Sequence, residues 1–430
     1  MRVWMIAAAA CLCGTAPGGF IGFLDVSTGT HDVPLGTEYR YAVARGDAVL
    51  IISGGLVLSG FEIEPLPDDR AGERGLSPGS PDLFGSIVAT DDASVIFDSG
   101  RVGFPVVGAG RSNVWVGPDA EVFEVHARER SVVTVERDEA DPPVELVCFE
   151  SGTLIFRGGE CFRTYARDSS SLFVTDGEFF DDLNSFETSR VVMSGGTVRA
   201  WAESWDESEF VISDGYVQDV AESNDDSSFT LEGGSVGWVW SRSSRPFVMT
   251  GGEVRMGVTA DGDFIASGGT IGGDLAVGNG IGSAPPPVAR FHVRSVRYDH
   301  DADAGTPSVS MVFDEDGLIV IEDGDARLRV EGEHPNVFLE LAGIAVVWED
   351  GSAAQFDFSV RRPQQGWSGR IEFVRSTVPE DLNHDGGIDV LDLAIFLGQF
   401  GGTGTADFNG DGGVDLLDLV RFLQAWEDDL

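Results

Sequence analysis

A glycine recurs in the middle of this chain at an almost constant interval. Seven short turns, RGGE, TDGE, SGGT, SDGY, EGGS, TGGE and SGGT, carry Gly159, Gly177, Gly196, Gly215, Gly234, Gly252 and Gly269. Successive glycines are 18, 19, 19, 19, 18 and 17 residues apart. A period of this length is typical of a solenoid, in which each repeat stacks on the next.

Apolar residues hold fixed positions around each glycine. Five residues before it stand Leu154, Leu172, Val191, Phe210, Phe229, Phe247 and Phe264, and three before it Phe156, Val174, Met193, Ile212, Leu231, Met249 and Ala266. Two after it stand Cys161, Phe179, Val198, Val217, Val236, Val254 and Ile271, and six after it Tyr165, Leu183, Ala202, Ala221, Trp240, Val258 and Leu275. Alternate spacing predicts strands whose inward side chains form continuous columns.

These patterns predict an all-β fold, a parallel β-helix with coils of about 17–19 residues, most regular between residues 150 and 280. The glycine marks a corner and is expected to have a positive φ angle. Leucine-rich repeats would need a Leu and Asn pattern that is absent, and propeller blades need about twice this period.

The flanks are less regular. Segments around Gly55 and Gly100 resemble degenerate coils, and the stretch from Glu64 to Phe84 between them resembles a loop. Short strands continue from Pro286 to Arg375 without the glycines, either as irregular final coils, which we favour, or as a small β-sandwich cap.

Two acidic segments, DLNHDGGIDVLD from Asp381 and DFNGDGGVDLLD from Asp407, share nearly every polar position and lie 26 residues apart. Carboxylates at alternate positions around a sharp glycine turn suit Ca²⁺, which takes six to eight oxygen ligands. An apolar segment of helical character follows each one. We expect two Ca²⁺ ions, with ligands from Asp381, Asn383, Asp385, Gly387, Asp389 and Asp392 in the first loop and Asp407, Asn409, Asp411, Gly413, Asp415 and Asp418 in the second.

The last fifty or so residues resemble a dockerin type I domain, in which the calcium loop is duplicated and one helix follows each loop. Asp at position 12 of each loop agrees with that resemblance. It implies a secreted protein that docks through calcium to a cohesin on a scaffold. Positions 10 and 11, often Ser-Thr in the dockerins of cellulose-degrading complexes, are Val390, Leu391, Leu416 and Leu417 here.

The net charge and the N-terminal segment limit the classes of protein to which this chain can belong. The 72 acidic and 28 basic residues give a formal net charge of −44, which opposes nucleic-acid binding. Residues 1–19 carry one Arg, an apolar run and small residues, as a bacterial secretory signal does. Acylation at Cys11 is the alternative. The run is too short to span a bilayer, so no transmembrane anchor is expected.

Two cysteines, Cys148 and Cys161, remain beyond the N-terminal segment. In an oxidising compartment they are a candidate disulfide, and the alternative is two buried thiols.

Parallel β-helices commonly act on polysaccharides along one face, so the outward columns offer candidates for catalysis. Asp181 and Asp219, four residues after their glycines and two coils apart, are candidate catalytic carboxylates, and Trp238 is a candidate sugar-stacking residue. Inverting glycosidases separate their carboxyl groups by about 6.5–9.5 Å. In so acidic a chain this pair is expected without catalysis.

The sequence therefore predicts a signal peptide (1–19), a β-helix (20–285), β-rich terminal coils or a cap (286–376) and a dockerin-like module (377–430). The expected function is non-catalytic: a secreted binding or surface-structure protein that attaches to a cohesin-like or other extracellular protein. The alternative is a secreted polysaccharide hydrolase or lyase with a docking module.

Overall fold

The computed structural model describes residues 20–21, 24–33, 38–39, 42–57, 87–102, 105–137, 144–277, 287–298, 309–310, 318–321, 337–348, 351–361, 370–375, 380, 382, 388, 390–409 and 412–428. The chain divides into two compact units, Met1–Val220 with Asp225–Ser227, and Ala221–Asn224 with Ser228–Leu430. Of the expected segments, the signal peptide and the stretch 64–84 lie outside the described residues.

The first unit is a parallel β-solenoid. Its strands are β1 (Phe20–Ile21), β2 (Leu24–Val26), β3 (Thr30–Val33), β4 (Glu38–Tyr39), β5 (Ala42–Ala44), β6 (Val49–Val57), β7 (Ile87–Ala89), β8 (Ser94–Val102), β9 (Val106–Gly108), β10 (Asn113–Val122), β11 (Glu124–Ala127), β12 (Val132–Val135), β13 (Val144–Cys148), β14 (Thr153–Ala166), β15 (Ser171–Phe179), β16 (Leu183–Ser185), β17 (Arg190–Val198), β18 (Trp201–Ser204) and the first part of β19 (Glu209–Ser223).

Strands of this unit pair in parallel with their counterparts one coil away. One stack runs through β8, β10, β12, β14, β15 and β17, and another through β9, β11, β13, β14, β16 and β18. The expected degenerate coils around Gly55 and Gly100 are confirmed, because β6 pairs in parallel with β8. The predicted β-helix is thus present.

The inward columns form the core of the solenoid. Leu154, Leu172, Val191 and Phe210 are at most 1 % exposed, as are Phe156, Val174 and Met193 in the next column. All seven predicted corner glycines have positive φ, between 73° and 110°. Alternation along each strand therefore buries the side chains that the sequence pattern selected.

The fourth predicted column is wrong at two positions. Tyr165 and Trp240 are half-buried, whereas Thr164 and Val239 pair with the column members Leu183 and Val258 and are fully buried. In these two coils the buried residue follows the glycine by five positions instead of six. A one-residue slip turns each side chain to the opposite face, so Tyr165 and Trp240 point outward.

The coils have a second corner, which the glycine pattern did not predict. Seven acidic residues there adopt left-handed conformations with φ between 53° and 60°: Asp91, Glu129, Glu150, Asp168, Glu187, Asp206 and Asp225. The carboxylates of the first six accept hydrogen bonds from backbone N–H groups of the preceding coil, as Asp168 does from Glu150 at 2.8 Å and Asp206 from Glu187 at 3.0 Å. These bonds stabilise a conformation that acidic residues otherwise avoid.

A buried serine follows most of these acidic residues by two positions. Ser131, Ser170, Ser189 and Ser208 are at most 1 % exposed. Their hydroxyls donate to carbonyl oxygens of the preceding coil at 3.0–3.2 Å. They also accept N–H groups within their own turn at 3.1 Å. This column satisfies polar groups at the buried corner.

The second unit begins with further parallel coils. Its solenoid strands are β20 (Ser228–Leu231), β21 (Ser235–Ser241), β22 (Phe247–Met249), β23 (Glu253–Ala260), β24 (Phe264–Ala266), β25 (Thr270–Ile271) and β26 (Asp274–Val277). The rings of Phe229 and Phe247 stack with centroids 4.8 Å apart, and Phe247 stacks on Phe264 at 6.0 Å. The predicted phenylalanine column continues here.

The region after Pro286 has mixed pairing. It contains β27 (Val288–Tyr298), β28 (Val309–Ser310), β29 (Leu318–Ile321), β30 (Val337–Trp348), β31 (Ala353–Arg361) and β32 (Arg370–Arg375). β27 continues the parallel stack from β24 and pairs in parallel with β32, but β27–β30, β30–β31 and β29–β32 are antiparallel. The region therefore combines the parallel pairing expected of final coils with antiparallel pairing that regular coils do not have.

The two helices of the described chain are α1 (Val390–Gln399) and α2 (Leu416–Asp428), and each follows one acidic segment as predicted. Their small core contains Ile388, Phe396, Ala406, Val414 and Phe422. The rings of Phe396 and Phe422, equivalent residues of the duplication, have centroids 5.5 Å apart. Neither helix is long and apolar enough to cross a membrane.

Candidate functional site

The first acidic loop is only partly described. Asp381, Asn383, Asp385, Gly387 and Asp389 lie outside the described residues. Asp392 lies in the first turn of α1 and is fully buried, as Asp418 is in α2. The position expected to close each calcium loop from its helix is thus equivalent in both repeats.

The second loop is described except for Gly410 and Asp411. The carboxylate of Asp418 is buried against the backbone of this loop. Oδ1 accepts the N–H groups of Phe408 and Asn409 at 2.8 and 3.0 Å, and Oδ2 accepts that of Asp415 at 2.9 Å. These bonds, with that from Asp415 strongest, lower the pKa of Asp418 and keep it ionised.

The second loop contains the sharp glycine turn that the sequence predicted, and α2 begins shortly after it. Gly412 has φ +97° and donates its N–H to Asp407 Oδ2 at 2.9 Å. Asp415 Oδ1 accepts the N–H of Leu417 at 2.7 Å, while Asp418 accepts the N–H of Asp415. This reciprocal pair caps the N-terminus of α2, so part of the acidic pattern has a structural role.

The donor chemistry of the second loop fits a hard cation. Asp407, Asp415 and Asp418 supply carboxylates, Asn409 an amide and Gly413 a backbone carbonyl, all oxygen donors. Within the described part of the chain no three acidic, histidine or cysteine side chains are grouped to hold one ion. Asp411 and five of the six first-loop residues lie outside that part, so convergence of the full ligand set stays a prediction.

Exposed apolar side chains repeat on the two helices. Val390, Leu391 and Leu397 of α1 are 63, 56 and 56 % exposed, and their equivalents 26 residues later are similarly exposed. Those equivalents, together with the neighbouring exposed residues, are Leu416, Leu417, Leu423, Phe400 and Val420. We call these eight residues the apolar helix surface. A concentration of large exposed apolar side chains on two short helices suits an interaction.

The register shifts at Arg163 and at Trp238, on either side of the two carboxylates that the sequence offered as catalytic candidates. β14 and β16 place Arg163 one position before the Thr164–Leu183 pair, which aligns it with Asp182 rather than Asp181. Asp181 forms an ion pair with Arg163 at 3.4 Å, and Asp219 accepts the Trp201 Nε1–H at 3.2 Å. Trp238 is half-buried and pairs with Gly257. Both candidate carboxylates thus have partners in the structure, and their catalytic role stays a prediction.

A different set of titratable groups lies on that outward face of the first unit. Glu145, Arg163 and Asp182 are aligned on three successive coils. Burial raises the pKa of both Glu145 and Asp182, and burial also raises the pKa of Tyr165 beside them. Sequence reasoning missed Glu145 because it precedes Gly159, where the glycine repeat begins, and missed Asp182 because the register after Gly159 was counted one residue off. The available signal was Thr164, a residue common in strands that stands one position before the expected inward Tyr165.

The two cysteines are separate buried thiols in the structure. The Cys148 Sγ contacts the carbonyl oxygen of Gly152 at 3.1 Å, and the Cys161 Sγ contacts Thr164 Oγ1 at 3.1 Å. Burial raises the pKa of Cys148 to about 11 and that of Cys161 to about 12. Of the two alternatives, the structure contains the buried thiols.

No family model, no curated protein and no solved structure matches this chain.

Proposed function

We propose that this chain is a secreted bacterial calcium-binding β-solenoid protein with a non-catalytic binding or surface-structure role. Its C-terminal module, which resembles a dockerin, attaches it to a cohesin-like or other extracellular protein when calcium is bound. The duplicated module supports this proposal. Two equivalent buried aspartates begin two helices that both expose apolar side chains.

Calcium would be held by the residues that the sequence predicts in each loop. In the second loop these are Asp407, Asn409, Asp411, Gly413, Asp415 and Asp418. The ion would neutralise the acidic residues and join the start of the loop to the helix that ends it. Because Leu416 and Leu417 directly precede Asp418, the same closure would fix the position of the apolar helix surface.

Calcium titration of the full chain tests the metal part of the proposal. After removal of metal with a chelator, titration calorimetry should give about two ions per chain, and circular dichroism should report a gain of helix, because binding and folding are coupled. Magnesium at equal concentration is the control. No heat, or binding with unchanged helix content, would contradict the proposal and leave the aspartates as helix caps.

The second candidate function is cleavage of a polysaccharide, as a hydrolase or as a lyase. The observation that favours it is the alignment of Glu145, Arg163 and Asp182 on successive coils, with the pKa of both carboxyl groups raised by burial. A carboxyl group with a raised pKa can act as a general acid. Release of reducing ends or unsaturated products from a polysaccharide panel, lost in Glu145→Gln and in Asp182→Asn, would support it. If the unmodified protein releases no product, this candidate is removed.

A further inference from the structure

Aromatic side chains line one outward face of the first unit. Tyr165, Phe186 and Trp205 lie on successive coils and are half-buried, with the rings of Tyr165 and Phe186 6.4 Å apart between centroids. The guanidinium of Arg167 lies 5.6 Å from the Tyr165 ring and 5.0 Å from the Phe186 ring. Cation–aromatic contacts of this kind hold the rings in place.

An unpartnered amide oxygen belongs to Asn184, which pairs with Tyr165 across neighbouring coils. Asn184 is on β16, between the inward residues Leu183 and Ser185, so its side chain points outward. It is nevertheless only 6 % exposed, and its Oδ1 has no hydrogen-bond partner. One coil later, Trp205 Nε1 is also buried without a partner.

These two atoms are complementary in their hydrogen bonding. The Asn184 Oδ1 accepts and the Trp205 Nε1–H donates, and each is costly to bury without a partner. A hydroxyl group both donates and accepts, so sugar hydroxyls can supply the bond that each atom lacks. The aromatic rings beside them offer the apolar faces on which a sugar ring packs.

The negative charge of the chain disfavours binding of anionic saccharides. A formal net charge of −44 repels anionic polymers, and acidic residues such as Asp182 flank the face. We infer that the face formed by Tyr165, Asn184, Phe186 and Trp205 binds a neutral glycan chain, whose hydroxyl groups bond to Asn184 and Trp205. Both atoms are shielded from solvent in the free protein, so this binding requires the Trp205 ring to move.

This inference deepens the binding role in the proposed function and rests on it, but it does not involve calcium. The test is titration calorimetry of the full chain with four neutral hexasaccharides, of β-1,4-glucose, β-1,3-glucose, β-1,4-mannose and β-1,4-xylose. At least one should bind, and Trp205→Ala should weaken it about tenfold or more. Trp205→Phe keeps an aromatic ring and removes the N–H, so it should weaken binding by a smaller factor.

Controls separate the site from the fold and from the metal. Trp115→Ala removes a half-buried tryptophan from another strand, β10, and should leave affinity unchanged. Excess chelator should also leave glycan affinity unchanged, so loss of calcium binding and loss of glycan binding are distinguishable. Binding by none of the four hexasaccharides overturns the inference. So does binding that Trp205→Ala, folded to the same melting temperature, leaves unchanged.

Discussion

The carbonyl oxygen of Gly196 lies 2.9 Å from the place that a Cβ on Gly215 would occupy. The two glycines are one coil apart, and Gly215 has φ +106°. Backbone therefore stacks directly on backbone at this corner, with no room for a side chain. A Cβ at Gly177, Gly196, Gly252 or Gly269 would likewise lie within 3 Å of the carbonyl oxygen of the corner glycine one coil before, which favours glycine at this position of the repeat.

Gly215→Ala should lower the free energy of unfolding by about 2–4 kcal/mol, because it adds a steric contact to the cost of a left-handed residue. Gly29→Ala is the matched control. Gly29 also has positive φ, +76°, but nothing lies within 4 Å of the place that its Cβ would occupy. It should lose only about 1–2 kcal/mol. Urea unfolding measures both, and equal losses would contradict the stacking argument.

The serine column gives a second prediction. The buried Ser208 Oγ accepts the N–H of Trp205 at 3.1 Å and donates to the carbonyl oxygen of Ser185 at 3.2 Å. It also accepts the Ser185 hydroxyl at 2.8 Å. Ser208→Ala removes all three bonds inside the solenoid and should cost about 1–3 kcal/mol in unfolding free energy.

The control for this change is Ser169→Ala, at an exposed hydroxyl that donates to the carbonyl oxygen of Glu150. It should cost less than about 0.5 kcal/mol, because water can replace the lost bond. Similar costs for the two variants in urea unfolding would show that the column does not stabilise the corner.

The buried thiols make stability depend on pH in the alkaline range. Their folded pKa values, about 11 for Cys148 and about 12 for Cys161, exceed that of an exposed thiol. The stabilisation is complete below about pH 9 and is lost as pH rises toward the folded values, by about 1.4 kcal/mol per pH unit for each thiol. Urea midpoints between pH 8 and 10.5 should fall less steeply in the Cys148→Ala, Cys161→Ala double variant. Identical slopes would contradict this assignment.

The sequence predicted those parts of the fold that repeat. Gly159 to Gly269 and the columns beside them were found because one backbone conformation and one buried face recur in each coil. The acidic corner at Asp168 and Ser170 was missed, although its residues recur at the same period, because Asp and Ser are ordinary surface residues in so acidic a chain. Only backbone geometry shows that Asp168 is left-handed and that Ser170 is buried.

The candidate sites were harder to predict, since they depend on registers that a count from the glycine does not determine. One residue fewer between Gly159 and the end of β14 turned Tyr165 outward and aligned Arg163 with Asp182. The unpartnered Asn184 oxygen has no sequence signature at all, because its environment comes from residues on neighbouring coils. Position 12 of the acidic loops was predictable, because Asp392 and Asp418 follow from the duplication itself.

Asp418 belongs both to the hydrogen-bond network of the second loop and to the proposed calcium ligand set. Its pKa is lowered by backbone N–H groups, so its contribution is present above about pH 4 and is lost as pH falls through the folded value. Asp418→Ala should reduce the calcium stoichiometry from about two to about one and make helix content less sensitive to acid. Glu207→Gln, an exposed change in the solenoid, is the charge control. Two ions still bound to Asp418→Ala would remove Asp418 from the ligand set.

The apolar helix surface is the expected contact surface for the proposed attachment. Leu391 and Leu417, 56 and 65 % exposed, are equivalent residues of the duplication. Leu391→Ser with Leu417→Ser should weaken calcium-dependent binding to a cohesin panel about tenfold or more, because burying each leucine side chain against a partner contributes about 1.5–3 kcal/mol. Calcium stoichiometry should stay at about two. Phe162→Ser, which changes an exposed apolar residue of the solenoid, should leave both unchanged. Cohesin binding that survives the double change, or that persists in chelator, would place attachment elsewhere on the chain.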